Sequence, residues 1–446
     1  MKISPARVAA FEILSKIETE RAFSSVLLPR YEIDLSPQDR GLCHALTLGV
    51  LRKQIFLDRL IDQFTKGKKV DPAVRIALRI GLYQLLFLDK VPDYSAINES
   101  VNLVQYAKKT SAKGFVNAIL RRATREKIEL QFDDEIDRIS IETSHPRWLI
   151  EKWVGQFGVA EAETLASANN KIPQIAFRMT AKFDGSTPVN VLPSEYVEGC
   201  FITDNVDEEL LAMAEIGEIY FQDEASQMVA ASVNIKEGEK FLDVCAAPGS
   251  KATLIANKFQ IPDSEVQISD LKSETGNSGL IVAGDLHYQR VQFMRSNFEK
   301  QEISNLNLLQ YDAVESFPFG DESFDVVLVD APCSGTGTIR HNPEIRYYLS
   351  PEDFGDLSCK QVAILQNASK LVKAEGRIIY STCSLEPEEN EAVCAEFLAA
   401  NADFERIRPE VPGNFINDEL FAHTSPHRDN MDGFFIASFG RKSGNL

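Results

Sequence analysis

Two cysteines in the second half of the chain follow short apolar segments that end in turn-forming residues. Residues 326–337 read Val-Val-Leu-Val-Asp-Ala-Pro-Cys-Ser-Gly-Thr-Gly, and residues 378–384 read Ile-Ile-Tyr-Ser-Thr-Cys-Ser. Apolar runs of this length, bounded by turn residues, are typical of buried strands in a parallel sheet. Because ligands bind beyond the carboxyl ends of such strands, Cys333 and Cys383 are expected to face one crevice, where either thiolate could act as a nucleophile.

The segments that carry these cysteines belong to an alternation of strands and helices that begins near Phe221. This alternation predicts an α/β domain with a doubly wound, Rossmann-like sheet and right-handed crossovers. The polar stretch 258–279 is longer than the usual connection between such elements and is predicted to be a surface insertion. Strands are predicted at residues 240–245, 280–285, 306–310, 324–330 and 377–381, and helices at intervening segments such as 252–257 and 352–372.

The ends of these predicted strands carry small or acidic residues, as a site for a nucleoside-containing cofactor would require. The second, third and fourth strands end at or near Asp285, Asp312 and Asp330. A carboxylate after the second strand suits ribose hydroxyls, and small residues after the first strand let a ligand approach backbone amides at a helix N-terminus. The residues that follow the first strand are Cys245, Ala246, Ala247, Pro248, Gly249, Ser250 and Lys251.

Two motifs that are missing from the sequence narrow the choice of cofactor. The chain has no Gly-x-x-x-x-Gly-Lys-Ser/Thr loop for a triphosphate and no Gly-x-Gly-x-x-Gly motif for a dinucleotide. A pocket lined by carboxylates, with Lys251 as its one nearby basic residue, would accept a ligand that has a cationic centre and no phosphate. S-adenosylmethionine has both properties, and it is the cofactor that we predict.

Two cysteines and an aspartate beside a methyl donor suggest methylation at C5 of a pyrimidine. C5 is not nucleophilic until a thiolate adds at C6, which turns the ring into an enamine that can attack the methyl group. A base must then remove the C5 proton so that the thiol is eliminated. Asp330 is expected to interact with N3, one cysteine to attack and the other to assist release. The spacing of the residues does not say whether Cys333 or Cys383 attacks.

The N-terminal region has the periodicity of an all-helical domain, predicted over residues 1–135. Ser4, Ser36 and Asp71 each precede a proline and are expected to cap the first turn of a helix. A helical connector with a small α/β subdomain is predicted over residues 136–220, and the Rossmann-like domain over 221–446. Ala10, Ile13, Leu14 and Ile17 form one expected apolar face of the helical domain, and Leu42, Leu46, Val50 and Leu57 form another.

The charge of the chain is divided unevenly between these regions. Residues 1–127 carry 22 basic and 13 acidic side chains, a net charge of +9, although the whole chain has a net charge of −19. This asymmetry predicts a basic module for nucleic acid joined to an acidic one. The seven cysteines are scattered without a Cys-x-x-Cys pair, which favours free thiols in the cytoplasm over disulfides or zinc. No signal peptide or membrane span is predicted.

Four motifs together resemble those of the RNA cytosine-5 methyltransferases of the nucleolar protein/Sun (NSUN) family. They are Asp-Val-Cys-Ala-Ala-Pro-Gly-Ser-Lys at 243–251, Asp-Ala-Pro-Cys-Ser-Gly-Thr-Gly at 330–337, Ser-Thr-Cys-Ser-Leu-Glu-Pro-Glu-Glu-Asn-Glu at 381–391 and Asp-Gly-Phe-Phe at 432–435. The helical N-terminal region resembles the NusB-like RNA-binding domain. That pairing is similar to the bacterial small-subunit rRNA methyltransferases of the Sun/Fmu type.

This resemblance implies a role for each matching residue. Cys383 would be the nucleophile, Cys333 would aid release of the product and Asp330 would contact the base. The substrate would be C5 of a cytosine in 16S rRNA, with the helical domain holding the RNA. Contacts to S-adenosylmethionine would come from Cys245, Ala246, Ala247, Pro248, Gly249, Ser250, Lys251, Asp285, Arg290, Asp312 and Asp330.

The chain departs from the family pattern at Ser250, where a second glycine is usual, and in the 258–279 insertion. Two alternatives to an rRNA methyltransferase stay open from the sequence. One is the same chemistry on tRNA or another RNA; the other is a non-catalytic RNA-binding assembly factor, against which the intact Cys333, Cys383 and Asp330 count. The sequence indicates neither a metal site nor an oligomeric state.

Overall fold

The computed structural model describes residues 3–127, 129–183, 185, 187–258 and 280–443. They fall into two units, of which the first comprises residues 1–172 and 339–349 and the second comprises residues 173–338 and 350–446. The insertion predicted at 258–279 lies outside the described residues, except that Lys258 ends a helix. The predicted domain boundaries after residues 135 and 220 stay predictions.

The helices and strands are numbered in chain order. The helices are α1 (Pro5–Glu20), α2 (Ser24–Glu32), α3 (Pro37–Arg52), α4 (Gln54–Thr65), α5 (Pro72–Phe87), α6 (Asp93–Tyr106), α7 (Lys113–Ala123), α8 (Glu135–Thr143), α9 (Arg147–Phe157), α10 (Val159–Ala168), α11 (Glu208–Ile216), α12 (Glu224–Ser232), α13 (Ser250–Lys258), α14 (Tyr288–Lys300), α15 (Ile345–Tyr348), α16 (Asp353–Ser369) and α17 (Glu391–Ala400). The strands are β1 (Ile175–Met179), β2 (Leu192–Pro193), β3 (Cys200–Thr203), β4 (Ile219–Phe221), β5 (Phe241–Asp243), β6 (Ile281–Asp285), β7 (Leu306–Gln310), β8 (Phe324–Asp330), β9 (Val372–Thr382), β10 (Phe404–Ile407), β11 (Ala422–His423) and β12 (Phe435–Arg441).

The first unit is helical, and two of its three predicted helix caps are confirmed. The Ser36 hydroxyl accepts a hydrogen bond from the Asp39 N–H at the start of α3, and the Asp71 carboxylate accepts one from the Ala73 N–H at the start of α5. The prediction for Ser4 is wrong, because its side chain makes no capping bond. Its backbone N–H instead donates to Glu99 Oε2 at 2.9 Å.

The apolar faces predicted for the N-terminal region form the core of the first unit. Ala10, Ile13, Leu14 and Ile17 of α1 are buried, as are Leu46, Val50 and Leu57 of α3 and α4, whereas Leu42 is half-buried. Trp153 of α9 is fully buried, with its ring centroid 5.4 Å from that of His145. The periodic apolar residues therefore pack as the helical pattern predicts.

Residues 339–349 complete the first unit although they come from far along the chain. Glu344 Oε1 accepts a hydrogen bond from the Ser24 N–H at 2.6 Å. The Tyr347 hydroxyl donates to the Leu51 carbonyl at 2.6 Å, and the Tyr348 hydroxyl donates to the Ala22 carbonyl at 2.7 Å. These bonds satisfy polar groups near the ends of α1, α2 and α3, so the segment is an integral part of the helical unit.

Arg346 is a fully buried polar residue of this segment. Its guanidinium donates to the carbonyl oxygens of Thr143 and Ser144 at 3.2 and 3.3 Å and to the Asn170 side-chain oxygen at 3.0 Å. Burial lowers the pKa of Arg346 to about 10, which leaves the group charged at neutral pH. One cation therefore bonds to several acceptors at once, of which the Thr143 and Ser144 carbonyls also accept from Asn170 Nδ2 and the Tyr347 hydroxyl.

The second unit contains the predicted Rossmann-like sheet. The described strands pair in the order β10-β12-β9-β8-β5-β6-β7, and the five from β9 to β7 are parallel. A smaller antiparallel sheet has the order β2-β3-β1-β4. The helix predicted at 352–372 ends earlier, at Ser369, because Val372 already pairs with Phe324 at the start of β9. The sequence did not predict the antiparallel strands β10, β11 and β12.

The terminal Asp-Gly-Phe-Phe motif packs against the loop that carries Cys333. The Gly337 N–H donates to the Cys383 carbonyl at 2.9 Å, and the Gly433 N–H donates to the Gly337 carbonyl at 2.9 Å. A Cβ atom on Gly337 would lie 1.9 Å from the Gly433 carbonyl oxygen, so this approach requires glycine. Phe435 pairs with Thr382 on the neighbouring strand. The motif thus contacts both the loop that carries Cys333 and the strand that leads to Cys383.

Within the described ranges, no helix is both long and apolar enough to span a lipid bilayer.

Candidate active site

The two cysteines lie together at the carboxyl ends of adjacent parallel strands. Asp330 ends β8 and pairs in register with Ser381 of β9, which places the loops after the two strands side by side. The Sγ atoms of Cys333 and Cys383 are 3.3 Å apart. All seven cysteines, each within the described part of the chain, are free thiols.

A cavity of about 380 Å³ opens beside these thiols. This volume lies within the range of cofactor pockets. Among the predicted site residues, those that line it are Cys245, Ala247, Asp285, Arg290, Asp312, Asp330, Cys333 and Cys383. Five predicted cofactor residues are not among the described residues that line the cavity, namely Ala246, Pro248, Gly249, Ser250 and Lys251.

Several residues of the cavity wall were not predicted from the sequence. Leu286 and His287 follow directly after Asp285, and Val314 follows shortly after Asp312, so the position of these residues beside predicted strand ends was an available signal. Leu357 and Ile364 come from α16, where they have ordinary helical spacing. That spacing is the same for a core residue as for a ligand contact, so no sequence signal separates the two.

Asp285 is held by two neighbours at the end of β6. Its Oδ1 accepts a hydrogen bond from the His287 N–H at 3.1 Å, and its Oδ2 lies 3.2 Å from Arg290 Nη1. Arg290 Nη2 also donates to the Ala247 carbonyl at 2.8 Å. Arg290 therefore joins the loop after β5 to the carboxylate after β6 and fixes the orientation of both.

Asp330 is held on both of its oxygens. Lys251 Nζ lies 2.7 Å from Oδ2, and the Ser381 hydroxyl donates to Oδ1 at 2.7 Å. Burial lowers the pKa of Lys251, but the negative charge of Asp330 outweighs it, so the pKa is raised overall. Lys251 consequently stays protonated, and its ammonium also lies 5.4 Å from the centre of the Phe434 ring.

Asp243, the last residue of β5, is a buried carboxyl group close to this ion pair. It is buried, and neither of its carboxyl oxygens has a hydrogen-bond partner within the described residues. Burial, followed by the negative charge of Asp330, raises the pKa of Asp243 from 3.8 to about 8. The side chain is therefore largely neutral at pH 7, which is how a buried carboxyl group avoids the cost of desolvating its charge.

Replacing Asp243 with asparagine is expected to remove a pH dependence of stability. A carboxyl group whose pKa is higher in the folded state stabilises the protein fully below its unfolded pKa, and that contribution is lost as the pH rises. With values of 3.8 and about 8, the window runs from pH 4 to pH 8. Across it the free energy of unfolding of the wild type should fall relative to Asp243→Asn by roughly 1 kcal/mol per pH unit.

Urea denaturation at a series of pH values measures this difference. Asp325→Asn is the matched control, because the pKa of the salt-bridged Asp325 is lowered rather than raised. Parallel pH profiles for the wild type and Asp243→Asn would contradict a neutral Asp243.

The environment of the Cys333 thiol favours its protonated form. Its hydrogen bond with Cys383 and its burial, together with the charges of Cys383, Glu389 and Asp330, raise the pKa of Cys333 well above its usual value. Cys333 therefore retains its proton at neutral pH and can donate its S–H toward Cys383 at the 3.3 Å separation.

These residues fit S-adenosylmethionine. Asp285, Asp312 and Asp330 supply three carboxylates to the lining of the cavity, and Leu286 and Val314 supply apolar surface. Two basic residues also line the cavity, Arg290, which is paired with Asp285, and Lys360, so the prediction that Lys251 is the one nearby basic residue is wrong. Three carboxylates nevertheless suit a ligand with hydroxyl groups and a positive charge. The donor set is that of a nucleoside with a cationic centre.

Two family models match the chain. The model described as the NusB family matches residues 4–125, and that described as 16S rRNA methyltransferase RsmB/F matches residues 230–440. These ranges cover the helical region and the Rossmann-like sheet, respectively. The predicted combination of an all-α NusB-like domain with an α/β methyltransferase domain is confirmed.

Individual relatives extend over nearly the whole chain. The "probable ribosomal RNA small subunit methyltransferase B" of Bacillus subtilis (strain 168) is 33% identical over 464 residues, which cover 99% of this chain and 100% of the relative. The crystal structure of PH0851 has a TM-score of 0.80 at 25% identity and covers 98% of this chain and 99% of that chain. NSun6 from Pyrococcus horikoshii with SFG shares the fold, with a TM-score of 0.56 at 19% identity over 66% of this chain and 98% of that chain.

The fold and the site define an S-adenosylmethionine-dependent methyltransferase that carries a NusB domain at its N-terminal end. The resemblance to the NSUN/Sun group is confirmed, and with it the activity class of an RNA cytosine-5 methyltransferase. The chain belongs to the 16S rRNA methyltransferase RsmB/F family.

Proposed function

We propose that this protein methylates C5 of a cytosine in 16S rRNA through a covalent bond between Cys383 and C6 of the base. The observation that carries the proposal is the pair of thiols 3.3 Å apart at the edge of a carboxylate-lined cavity. Two adjacent cysteines suit a reaction in which one thiol must attack and later leave.

Asp285, Asp312 and Asp330 would hold the cofactor, with Arg290 orienting Asp285. When bound, S-adenosylmethionine supplies an electrophilic methyl group. Asp285 suits the ribose hydroxyls, because its carboxylate is held at the end of β6 by the His287 N–H and by Arg290. Leu286 and Val314 suit the face of a purine, and the positions of Cys245 and Ala247 let the ligand approach the backbone.

Cys383 would be the nucleophile. The raised pKa of Cys333 keeps a proton on that thiol, so Cys383 is the member of the pair that we assign to the attack. Asp330, held by Lys251 and Ser381, would contact the N3 edge of the cytosine and fix the orientation of the ring.

Addition of Cys383 to C6 forms the C–S bond and gives C5 the electrons to form its bond to the methyl group. Loss of the C5 proton to a base then returns those electrons to the ring and expels the Cys383 thiolate. Cys333 would assist this last step by donating its S–H to the leaving sulfur. Both sulfurs return to the state in which they began when the proton passes back from Cys383 to Cys333 across the 3.3 Å separation.

The 16S rRNA substrate is supported by the family description and by the relative from B. subtilis. Residues 1–127 carry a net charge of +9 in a chain whose total is −19, which supports the helical region as the RNA-holding part. An rRNA substrate would locate the enzyme in the cytoplasm.

Deleting the coding sequence is expected to remove one 5-methylcytosine from 16S rRNA. Bisulfite sequencing of total RNA would measure it in the parent, in the deletion strain and in deletion strains complemented with either the wild-type gene or Cys383→Ser. Only the wild-type gene should restore the mark, because serine cannot ionise to a nucleophile of comparable strength. Loss of a tRNA mark with an unchanged 16S rRNA would contradict the proposed substrate and favour the tRNA alternative.

A further inference from the structure

Glu389 is a buried carboxylate that lies outside the described lining of the cavity. It follows Cys383 by six residues and is fully buried. Its Oε1 accepts hydrogen bonds from the Ser334 N–H at 2.8 Å and from Gln361 Nε2 at 3.0 Å. Its Oε2 accepts from the hydroxyls of Ser334 and Ser384. Four donors thus converge on one side chain, which compensates for the burial of its charge.

Three of these four donors belong to the residues directly after the two active-site cysteines. Ser334 follows Cys333, and Ser384 follows Cys383. Their hydroxyl oxygens lie 3.1 Å apart, so Glu389 Oε2 and the two hydroxyls form a closed triangle of polar contacts. The carboxylate therefore joins the loop after β8 to the loop after β9 at the next residue from each sulfur.

The segment that carries Glu389 is itself held rigidly. The Glu389 carbonyl accepts a hydrogen bond from the Tyr380 hydroxyl at 2.6 Å. Asn390 Nδ2 donates to the Ser384 carbonyl at 2.9 Å, and its Oδ1 accepts from the Thr382 hydroxyl. Because its backbone is anchored to β9, Glu389 can hold the loops that it contacts in fixed positions.

We propose that Glu389 is a positioning residue that sets the separation of Cys333 and Cys383 by bonding to the residue after each of them. The proposal rests on the proposed function, because it assigns Glu389 a part in the same two-thiol reaction. The observation behind it is geometric: one carboxylate bonds to two loops whose cysteines are 50 residues apart in the chain, in addition to the bond from the Gly337 N–H to the Cys383 carbonyl.

The charge and the acceptor pattern of the side chain both matter to this role. Glutamine at 389 would have the same shape, but its amide nitrogen would have to face either two N–H donors or two hydroxyls. At least two of the four hydrogen bonds would then be lost or reversed. An aspartate would keep the acceptors but would fall about one methylene short of one of the loops.

The expected effect of Glu389→Gln is a large loss of kcat with little change in binding. A displacement of about 1 Å between reacting groups can cost about 100-fold in rate, so kcat for methylation of a 16S rRNA transcript should fall by about that factor. KM for the transcript and Kd for S-adenosylmethionine should stay within about twofold, since Glu389 is outside the described cavity lining.

A second measurement reports the separation of the two sulfurs directly. Hydrogen peroxide oxidises one thiol to a sulfenic acid with release of water, and the second thiol displaces a further water to form the disulfide. The rate of Cys333–Cys383 disulfide formation, followed by mass spectrometry of peptides, should fall about tenfold in Glu389→Gln. Glu389→Asp should recover part of both kcat and this rate, because it retains the charge.

Glu388→Gln is the matched control, because Glu388 is the exposed neighbour of Glu389. It should keep both kcat and the disulfide rate. Wild-type kcat or a wild-type disulfide rate in Glu389→Gln would overturn the proposal. If Glu389→Gln fails to fold, Ser384→Ala, which removes one donor to Glu389, is judged by the same two criteria with smaller expected losses. The disulfide rate needs no RNA, so failure of the wild type to methylate 16S rRNA would refute the proposed function without deciding the role of Glu389.

Discussion

Cys383→Ala is expected to abolish methyl transfer, whereas Cys333→Ala is expected to accumulate a covalent complex between protein and RNA. Without the Cys383 sulfur, C5 of cytosine never becomes nucleophilic, so activity should fall by more than about 1,000-fold. Without Cys333, the adduct at Cys383 still forms. Breakdown of the adduct then slows, because the Cys333 thiol is no longer present to donate a proton to the leaving sulfur. In the wild type the two Sγ atoms are 3.3 Å apart.

Denaturing gel electrophoresis after incubation with labelled 16S rRNA and S-adenosylmethionine would detect the complex. The matched control is Cys359→Ala, since Cys359 is the exposed cysteine of α16. It should methylate at the wild-type rate and form no lasting complex. A stable adduct in Cys383→Ala, with none in Cys333→Ala, would reverse the assigned roles. The double variant should form no adduct under either assignment.

Arg346→Met is expected to destabilise the helical unit severely although Arg346 lies only 13 residues after Cys333 in the chain. Methionine fills a similar volume but donates to none of the acceptors that the guanidinium satisfies, namely the carbonyls of Thr143 and Ser144 and the side chain of Asn170. The Thr143 carbonyl keeps its bond from Asn170 Nδ2 and the Ser144 carbonyl keeps its bond from the Tyr347 hydroxyl, so the loss of the Arg346 bonds costs about 2 kcal/mol.

Hydrogen exchange of the full-length protein would measure this loss helix by helix. Protection should fall in α8, which ends at the acceptor Thr143, and in α10, which ends just before the acceptor Asn170. It should change little in the strands β5 to β9. Arg125→Met, at an exposed position just after α7, serves as the control and should leave exchange unaltered. Unchanged protection of α8 and α10 in Arg346→Met would contradict a stabilising role of Arg346 in the helical unit.

The same segment affects how the RNA-binding role of the helical region should be tested. Removing residues 1–135 is predicted to weaken RNA binding far more than cofactor binding, because the basic charge is concentrated there. The deletion also removes the partners of Glu344, Tyr347 and Tyr348 on α1, α2 and α3. Charge reversal of exposed lysines such as Lys68 and Lys69 separates the two effects, because these side chains are not part of that packing.

The sequence alone predicted the parallel strands and a shared crevice for Cys333 and Cys383. Short apolar runs predicted β6, β7 and β8 to within a residue, because a buried strand of a parallel sheet must be apolar on both faces. The polar residues after those strands were recognisable because parallel strands bring their carboxyl ends to one edge. That rule was enough to bring Asp285, Asp312, Asp330, Cys333 and Cys383 to one cavity.

Only the tertiary structure revealed what holds the site and where the chain after Cys333 goes. Glu389 appeared in the sequence as one of several glutamates in Leu-Glu-Pro-Glu-Glu-Asn-Glu, and only folding shows that this one is buried against Ser334 and Ser384. Residues 339–349 have no compositional mark that separates them from the catalytic domain, yet they belong to the helical unit. Local patterns determine strands and helices, because those depend on neighbours in the chain. Partners more than 50 residues away are decided by packing, which no local pattern records.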